Sequence, residues 1–130
     1  ERWYGFDDGL YASARLLEIL ANEMEKSAEV FAKLPESLST PELSIEMADD
    51  EKFDFISKLL SEGDFAGGKV TDIDGVRIDY STGWGLVRAS NTTPCLVIRF
   101  EAETDQDMIN IQAVFRQQLL RLDPDLIIPF

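Results

Sequence analysis

From Gly75 to Ala102 the chain runs GVRIDYSTGWGLVRASNTTPCLVIRFEA. Val76, Ile78 and Tyr80 alternate with Arg77 and Asp79, and a period of two is what a strand with one buried face requires. Two apolar runs follow, WGLVRAS from Trp84 and PCLVIRFEAE from Pro94, each long enough for a strand. Asp74-Gly75 is a strong tight-turn signal and Thr82-Gly83 a plausible one. Short turns join antiparallel neighbours, so the segment predicts an antiparallel sheet.

Upstream, KVTDI from Lys69 adds a short strand and SIEM from Ser44 another. Between them Asp49 or Asp50 is placed to cap a helix carrying Phe53, Ile56 and Leu60 on one side, which GDFAGG then stops. Downstream, the spacing predicts a helix over 105–122 that buries Met108, Ile111, Phe115, Leu119 and Leu122. These elements make an α+β domain with helices over one sheet face, the other face being solvated or turned toward a neighbour. Toward the N-terminus, Leu16, Ile19, Leu20 and Met24 recur at helical spacing. Asp7 or Asp8 can cap a single helix from Asp8 to about Lys33, which Leu34-Pro35 ends. PESLSTPEL, with its prolines and hydroxyl residues, reads as the domain boundary. Residues 1–36 are then the helical tail of an upstream domain and 37–130 a C-terminal one. The opening ERWYGF, without an initiator Met, is expected of a piece of a larger protein.

Twelve basic against twenty-five acidic side chains leave a formal charge of -13. Such a surface repels nucleic acid and anionic membranes, whose binding depends on neutralising phosphate, so neither is an expected partner. A small anion can still bind where basic groups and N–H donors converge. The absence of histidine excludes imidazole catalysis and His-containing metal sites from these residues. Cys95, the single cysteine, reads as an inert buried thiol. With no signal peptide or spanning segment in view, a cytoplasmic setting is expected.

Between the two apolar runs stands RASNTT, which holds a guanidinium, hydroxyls, an amide and turn backbone within six residues, the donor kinds that bind phosphate. Pro94 turns Thr93 toward extended geometry and restarts the next strand. Gly83 and Gly85 are expected to let the neighbouring turn approach a ligand, and Arg99 has the strand parity to reach the same side. The alternative stays open, because Ser, Asn and Thr are also ordinary turn residues and a strand arginine is commonly a solvated one. The acidic pairs Asp72/Asp74 and Asp7/Asp8 fit turn and cap duty better than metal binding or acid–base catalysis. Trp84 reads as core or interface. With no Gly-rich dinucleotide loop, P-loop or zinc spacing, these residues describe a binding module without a reaction centre.

DIDGVRIDYSTGWGLVRASNTTPCLVIRFEAET resembles the C-terminal domain of bacterial phosphomannomutase/phosphoglucomutase, in the α-D-phosphohexomutase superfamily. ERWYGFDDGLYASARLLEIL is similar to the end of that family's third domain, and FRQQLLRLDPDLIIPF to the close of its fourth. The resemblance implies an isomerase that moves phosphate between C1 and C6 of a hexose through a phosphoserine and a hexose 1,6-bisphosphate. Mg²⁺ is implied beside the phosphoserine, outside this fragment. It further implies a TATA-binding-protein-like last domain that rotates as a lid. In that lid Arg88, Ser90, Asn91 and Thr92 are implied to hold the substrate's nonreacting phosphate, with Arg99 in support.

The family's phosphoserine, metal and sugar-recognition loops have no counterpart here, so the chain by itself is expected to be inactive. Its expected partners are a mannose or glucose phosphate and the upstream domains. Two other functions fit the residues less fully. One is the lid of a phosphoglucosamine mutase; the other is a free-standing interaction or regulatory module using the Leu16–Met24 face.

Overall fold

The computed structural model describes residues 5–130, so the part of the expected N-terminal tail that falls on ERWY lies outside the described residues. The chain divides into two compact units, one reaching to Glu36 and one from Ser37 to Phe130.

In the first unit, α1 spans Gly9–Asn22 and α2 spans Ser27–Phe31. Asp8 caps α1, its carboxylate accepting the Tyr11 N–H at 3.0 Å, and an acid at this end also complements the helix dipole. The single helix expected from Asp8 to Lys33 is corrected here: Glu23 turns to extended backbone and ends α1. A new start follows at once, because the Glu29 carboxylate reaches back to the Lys26 N–H at 3.0 Å. Apolar spacing continues through this break, and spacing is blind to where backbone amides change partners. No residue of α1 is buried, and Leu16, Leu17 and Ile19 stay exposed.

The second unit is an α+β fold. Its strands are β1 (Leu38–Ser39), β2 (Leu43–Glu46), β3 (Lys69–Thr71), β4 (Val76–Tyr80), β5 (Gly83–Ala89) and β6 (Cys95–Ala102). Helices α3 (Lys52–Glu62) and α4 (Asp105–Leu122) complete it. The sheet is antiparallel in the order β1-β6-β5-β4-β3, with β2 also on β6. β1 and β2 are two pieces of one interrupted edge along β6. Pro41 interrupts it, since proline has no N–H for the ladder. The Thr40 hydroxyl accepts the Phe100 N–H at 3.1 Å, and the Thr40 N–H donates to the Phe100 carbonyl at 3.0 Å. Part of the segment expected to be a plain connector is therefore sheet.

Alternation places Val76, Ile78, Val87, Leu96, Ile98 and Phe100 on one face, all fully buried. Phe55 and Leu59 of α3 and Ile111, Phe115 and Leu119 of α4 cover them. Phe115 is the centre of this layer, with its ring 5.0 Å from Phe65 and 5.3 Å edge-on from Phe100. α4 has its expected bounds and is capped by the Thr104 hydroxyl, which accepts the Asp107 N–H at 3.2 Å. Met108 and Leu122 are only partly buried at its ends.

α3 departs from expectation in both cap and face. Glu51 stands at its N-cap without a side-chain bond, and Asp49 instead accepts from Lys52 Nζ. Its buried residues are Lys52, Phe55 and Leu59, while Phe53 and Leu60 are exposed and Ile56 lies between. Apolar residues at 53, 55, 56, 59 and 60 make a stripe wider than one face, and packing against α4 and the sheet selects which part goes inside.

Candidate functional site

The second sheet face is not covered by α3 or α4. The odd-numbered residues of β6 and the even-numbered ones of β5 share it, so the ladder sets Arg88 opposite Val97 and Leu86 opposite Arg99. Arg88 and Arg99 are diagonal neighbours on one face, within the reach of long side chains. Trp84 lies on the same face, half-buried beneath the Arg77 guanidinium, which stands 4.0 Å over its ring and is bonded to Asp79 at 2.7 Å.

Ser90–Pro94 links the two strands at one end of this face. Ser90 is 6% exposed, whereas Asn91, Thr92 and Thr93 are exposed. The Ser90 Oγ accepts the N–H of Thr92 at 3.3 Å and of Thr93 at 3.2 Å, and lies 2.7 Å from Thr93 Oγ1. The Ser90 N–H donates to the Cys95 carbonyl at 3.0 Å. Serine suits this position because a short hydroxyl can gather amides from residues two and three ahead. Pro94 then sits at the centre of a three-residue turn, with the Cys95 N–H donating to the Thr93 carbonyl at 2.9 Å; its fixed φ suits that turn.

Two further segments meet this end of the sheet. The Met47 N–H donates to the Pro94 carbonyl at 3.0 Å, and Lys52 Nζ donates to the Thr93 carbonyl at 2.9 Å. On the other side, the turn before β4 brings Asp74 Oδ2 to 3.7 Å from Arg88 Nη1. Gly75 makes this approach possible: its φ is +89°, and a Cβ there would stand 2.4 Å from the Val87 carbonyl oxygen and 2.6 Å from Arg88 Cβ. Asp74 is 68% exposed, so its pairing with Arg88 contributes little and yields readily to a competing anion.

The structure thus brings Arg88, Ser90, Asn91 and Thr92 together, with Arg99 on the adjoining strand. Ser90 differs from the other four in being buried, with its hydroxyl engaged inside the loop, where Thr92 Oγ1 also lies 3.5 Å from it. Two expectations are corrected. Gly83 and Gly85 meet the core: a Cβ on Gly85 would lie 2.5 Å from the Phe115 ring, and one on Gly83 would lie 2.2 Å from the Glu101 carbonyl oxygen. Cys95 is half-buried rather than buried, because its strand parity turns it away from the helix face; its Sγ lies 3.2 Å from Thr93 Oγ1. Lys52 escaped the sequence reading, since a lysine in the first turn of a helix ordinarily looks solvated. Among the described residues no three or more His, Cys, Asp or Glu side chains are grouped to hold a metal ion, and no helix is long and apolar enough to cross a membrane.

Comparison with known proteins identifies the family. Residues 21–118 match the family of the phosphoglucomutase/phosphomannomutase C-terminal domain. The chain is 54% identical, over all of its length, to a phosphomannomutase/phosphoglucomutase of Pseudomonas putida, and 52% identical to one of Pseudomonas aeruginosa. It spans 28% of the length of each. A crystal structure of a phosphoglucomutase/phosphomannomutase family protein from Burkholderia thailandensis superposes with a TM-score of 0.84 at 47% identity, over 99% of this chain and 27% of that one. The chain belongs to the bacterial phosphomannomutase/phosphoglucomutase family and carries its C-terminal domain.

Proposed function

We propose that this chain is the phosphate-gripping lid of a phosphohexomutase, and that Arg88, Ser90, Asn91 and Thr92, supported by Arg99, hold the phosphate that is not reacting. One observation carries this reading: two arginines share the sheet face that runs up to a strand-end loop whose shape is already fixed by its own hydrogen bonds. Arg88 supplies a planar fork matched to phosphate oxygens. Asn91 and Thr92 present exposed polar groups beside it. Ser90 acts from beneath by keeping the loop's amides in place. The weak Asp74 partner of Arg88 is displaced as phosphate enters.

In the whole protein, on this proposal, mannose or glucose 1-phosphate and 6-phosphate interconvert through a phosphoserine and a hexose 1,6-bisphosphate. Gripping one end phosphate orients the sugar so that its other end meets the serine, which replaces a search in solution with a fixed approach. The bisphosphate then reverses, and the same clamp takes its other phosphate. Closure of the lid excludes water from the transfer. Residues 1–36 are assigned to the end of the preceding domain, and the serine, sugar-recognition and Mg²⁺ sites to upstream domains. The described residues do not fit Mg²⁺, and no step in this chain is routed through it. The setting is cytoplasmic, and the -13 charge argues against a nucleic-acid role.

The test is Arg88→Ala in the full-length mutase. Charge-assisted hydrogen bonds contribute about 1.5–3 kcal/mol each, so KM for glucose 1-phosphate should rise about 10- to 100-fold. An unchanged KM in a folded variant removes the proposal.

A further inference from the structure

Lys52 is the one charged side chain in the buried set of the second unit, at 3% exposure among the described residues. Its ammonium makes two hydrogen bonds among the described residues. One, of 2.5 Å, goes to Asp49 Oδ1 within the same turn of chain; the other, of 2.9 Å, goes to the Thr93 carbonyl, 41 residues away. Burying an ammonium is costly, and an apolar side chain of the same size would fill this space with less penalty. Stability alone is therefore a poor reason for a lysine here. What the ammonium uniquely provides is a directional grip on one peptide of the β5–β6 loop.

We propose that Lys52 is a positioning residue that holds this loop in its phosphate-receiving shape from the helical side of the sheet. The inference rests on the proposed phosphate site and deepens it. Ser90 gathers the loop's amides at one end, and Lys52 fixes the Thr93 carbonyl at the other. The carbonyl is drawn toward α3, leaving Asn91 and Thr92 as the exposed rim. The Met47 N–H on the Pro94 carbonyl adds a second anchor from the same β2–α3 junction. A loop held on both sides loses little freedom when it takes up a ligand, and an ordering cost avoided appears as affinity. Asp49 largely balances the Lys52 charge, so Lys52 acts by placing the loop and not by attracting the anion from a distance.

The experiment compares wild type, Lys52→Met, Lys52→Arg and Arg88→Ala in the full-length mutase, reading kcat and KM for glucose 1-phosphate and amide exchange at residues 91–95. Lys52→Met keeps the stem and loses the grip. The expected result is a KM up to about 10-fold higher, because binding must then supply the ordering of the loop that the tether had supplied. Faster exchange at Cys95 should accompany it, kcat should change less than KM, and Lys52→Arg should recover part of both. A folded Lys52→Met with unchanged KM and exchange overturns the proposal. If Arg88→Ala leaves KM unchanged, the phosphate-site reading fails separately, and exchange still decides whether Lys52 holds the loop. Should Lys52→Met not fold, the ¹⁵N-lysine spectrum of the wild-type chain decides. A slowly exchanging Lys52 ammonium with Overhauser contacts to Thr93 supports the tether, and a solvent-like, contact-free signal overturns it.

Discussion

Two hydroxyls in this domain stand in opposite circumstances, and each predicts a different response to removal. Ser90 Oγ is buried and accepts from two loop amides, so Ser90→Ala removes both of these bonds. A hydrogen bond of this kind contributes about 0.5–1.5 kcal/mol net, and the urea midpoint should fall accordingly, with faster exchange at Thr92 and Thr93. Tyr80 Oη is buried and has no hydrogen-bond partner among the described residues, so Tyr80→Phe should be neutral or mildly stabilising at pH 7. Desolvation raises the Tyr80 pKa above its ordinary 10.0. The unfolded chain then releases this proton first, so the tyrosine's contribution is intact below pH 10 and is lost as pH rises through the raised value. As pH rises above 10.0, wild type should lose stability faster than Tyr80→Phe, as urea titrations at pH 8 and about 10.5 would show. An equal loss in both proteins contradicts this account of Tyr80. Neither circumstance is visible in the sequence. A serine after a strand and a tyrosine at the end of one look alike until the chain is folded around them.

At the scale of elements, the most demanding contact is between β5 and α4. Gly85 leaves room for the Phe115 ring, and an added methyl would stand 2.5 Å from it. Gly85→Ala should therefore destabilise the domain by about 1–3 kcal/mol, the usual cost of overpacking, with the deficit readable as a lower urea midpoint. A midpoint at or above wild type would mean that α4 moves aside freely. This contact shows where sequence reasoning reaches its limit. The bounds of α4 were legible because Thr104, two acids in the first turn and a steady apolar stripe agree with one another. The three long strands, β4, β5 and β6, were legible from alternation, apolar runs and turn signals. The glycines of β5 were not, since a glycine near a polar loop suggests room for a ligand equally with room for a ring. The face of α3 was misread because its apolar stripe is broad, and the break after α1 because hydrophobic spacing continues across it. For the site, Arg88 and Arg99 were placed on one face by parity alone. Lys52 and Asp74 join the loop only through turns that bring distant segments to one end of the sheet.

At the scale of the whole chain, the two units differ in what holds them. The second has a continuous core of buried strand and helix residues, whereas α1 in the first has no buried residue. A 14-residue helix without a packed face is marginal in water, because its nucleation cost is barely recovered over that length. Cooperative stability is thus expected to reside in residues 37–130. Hydrogen exchange should find the β5 and β6 amides protected to the level of global unfolding. The α1 amides should exchange close to intrinsic rates, with Asp8 slowing only the first turn. Removing residues 1–36 should then leave the urea midpoint of the remainder unchanged. If instead α1 proves as protected as β6, its exposed Leu16, Leu17 and Ile19 have found cover in solution, and truncation would lower the midpoint by the stability that cover provides. The first result makes α1 a helix that depends on sequence upstream for its packing, as the proposed tail of a preceding domain would. The second makes it an integral part of the C-terminal unit and moves the functional boundary away from Glu36.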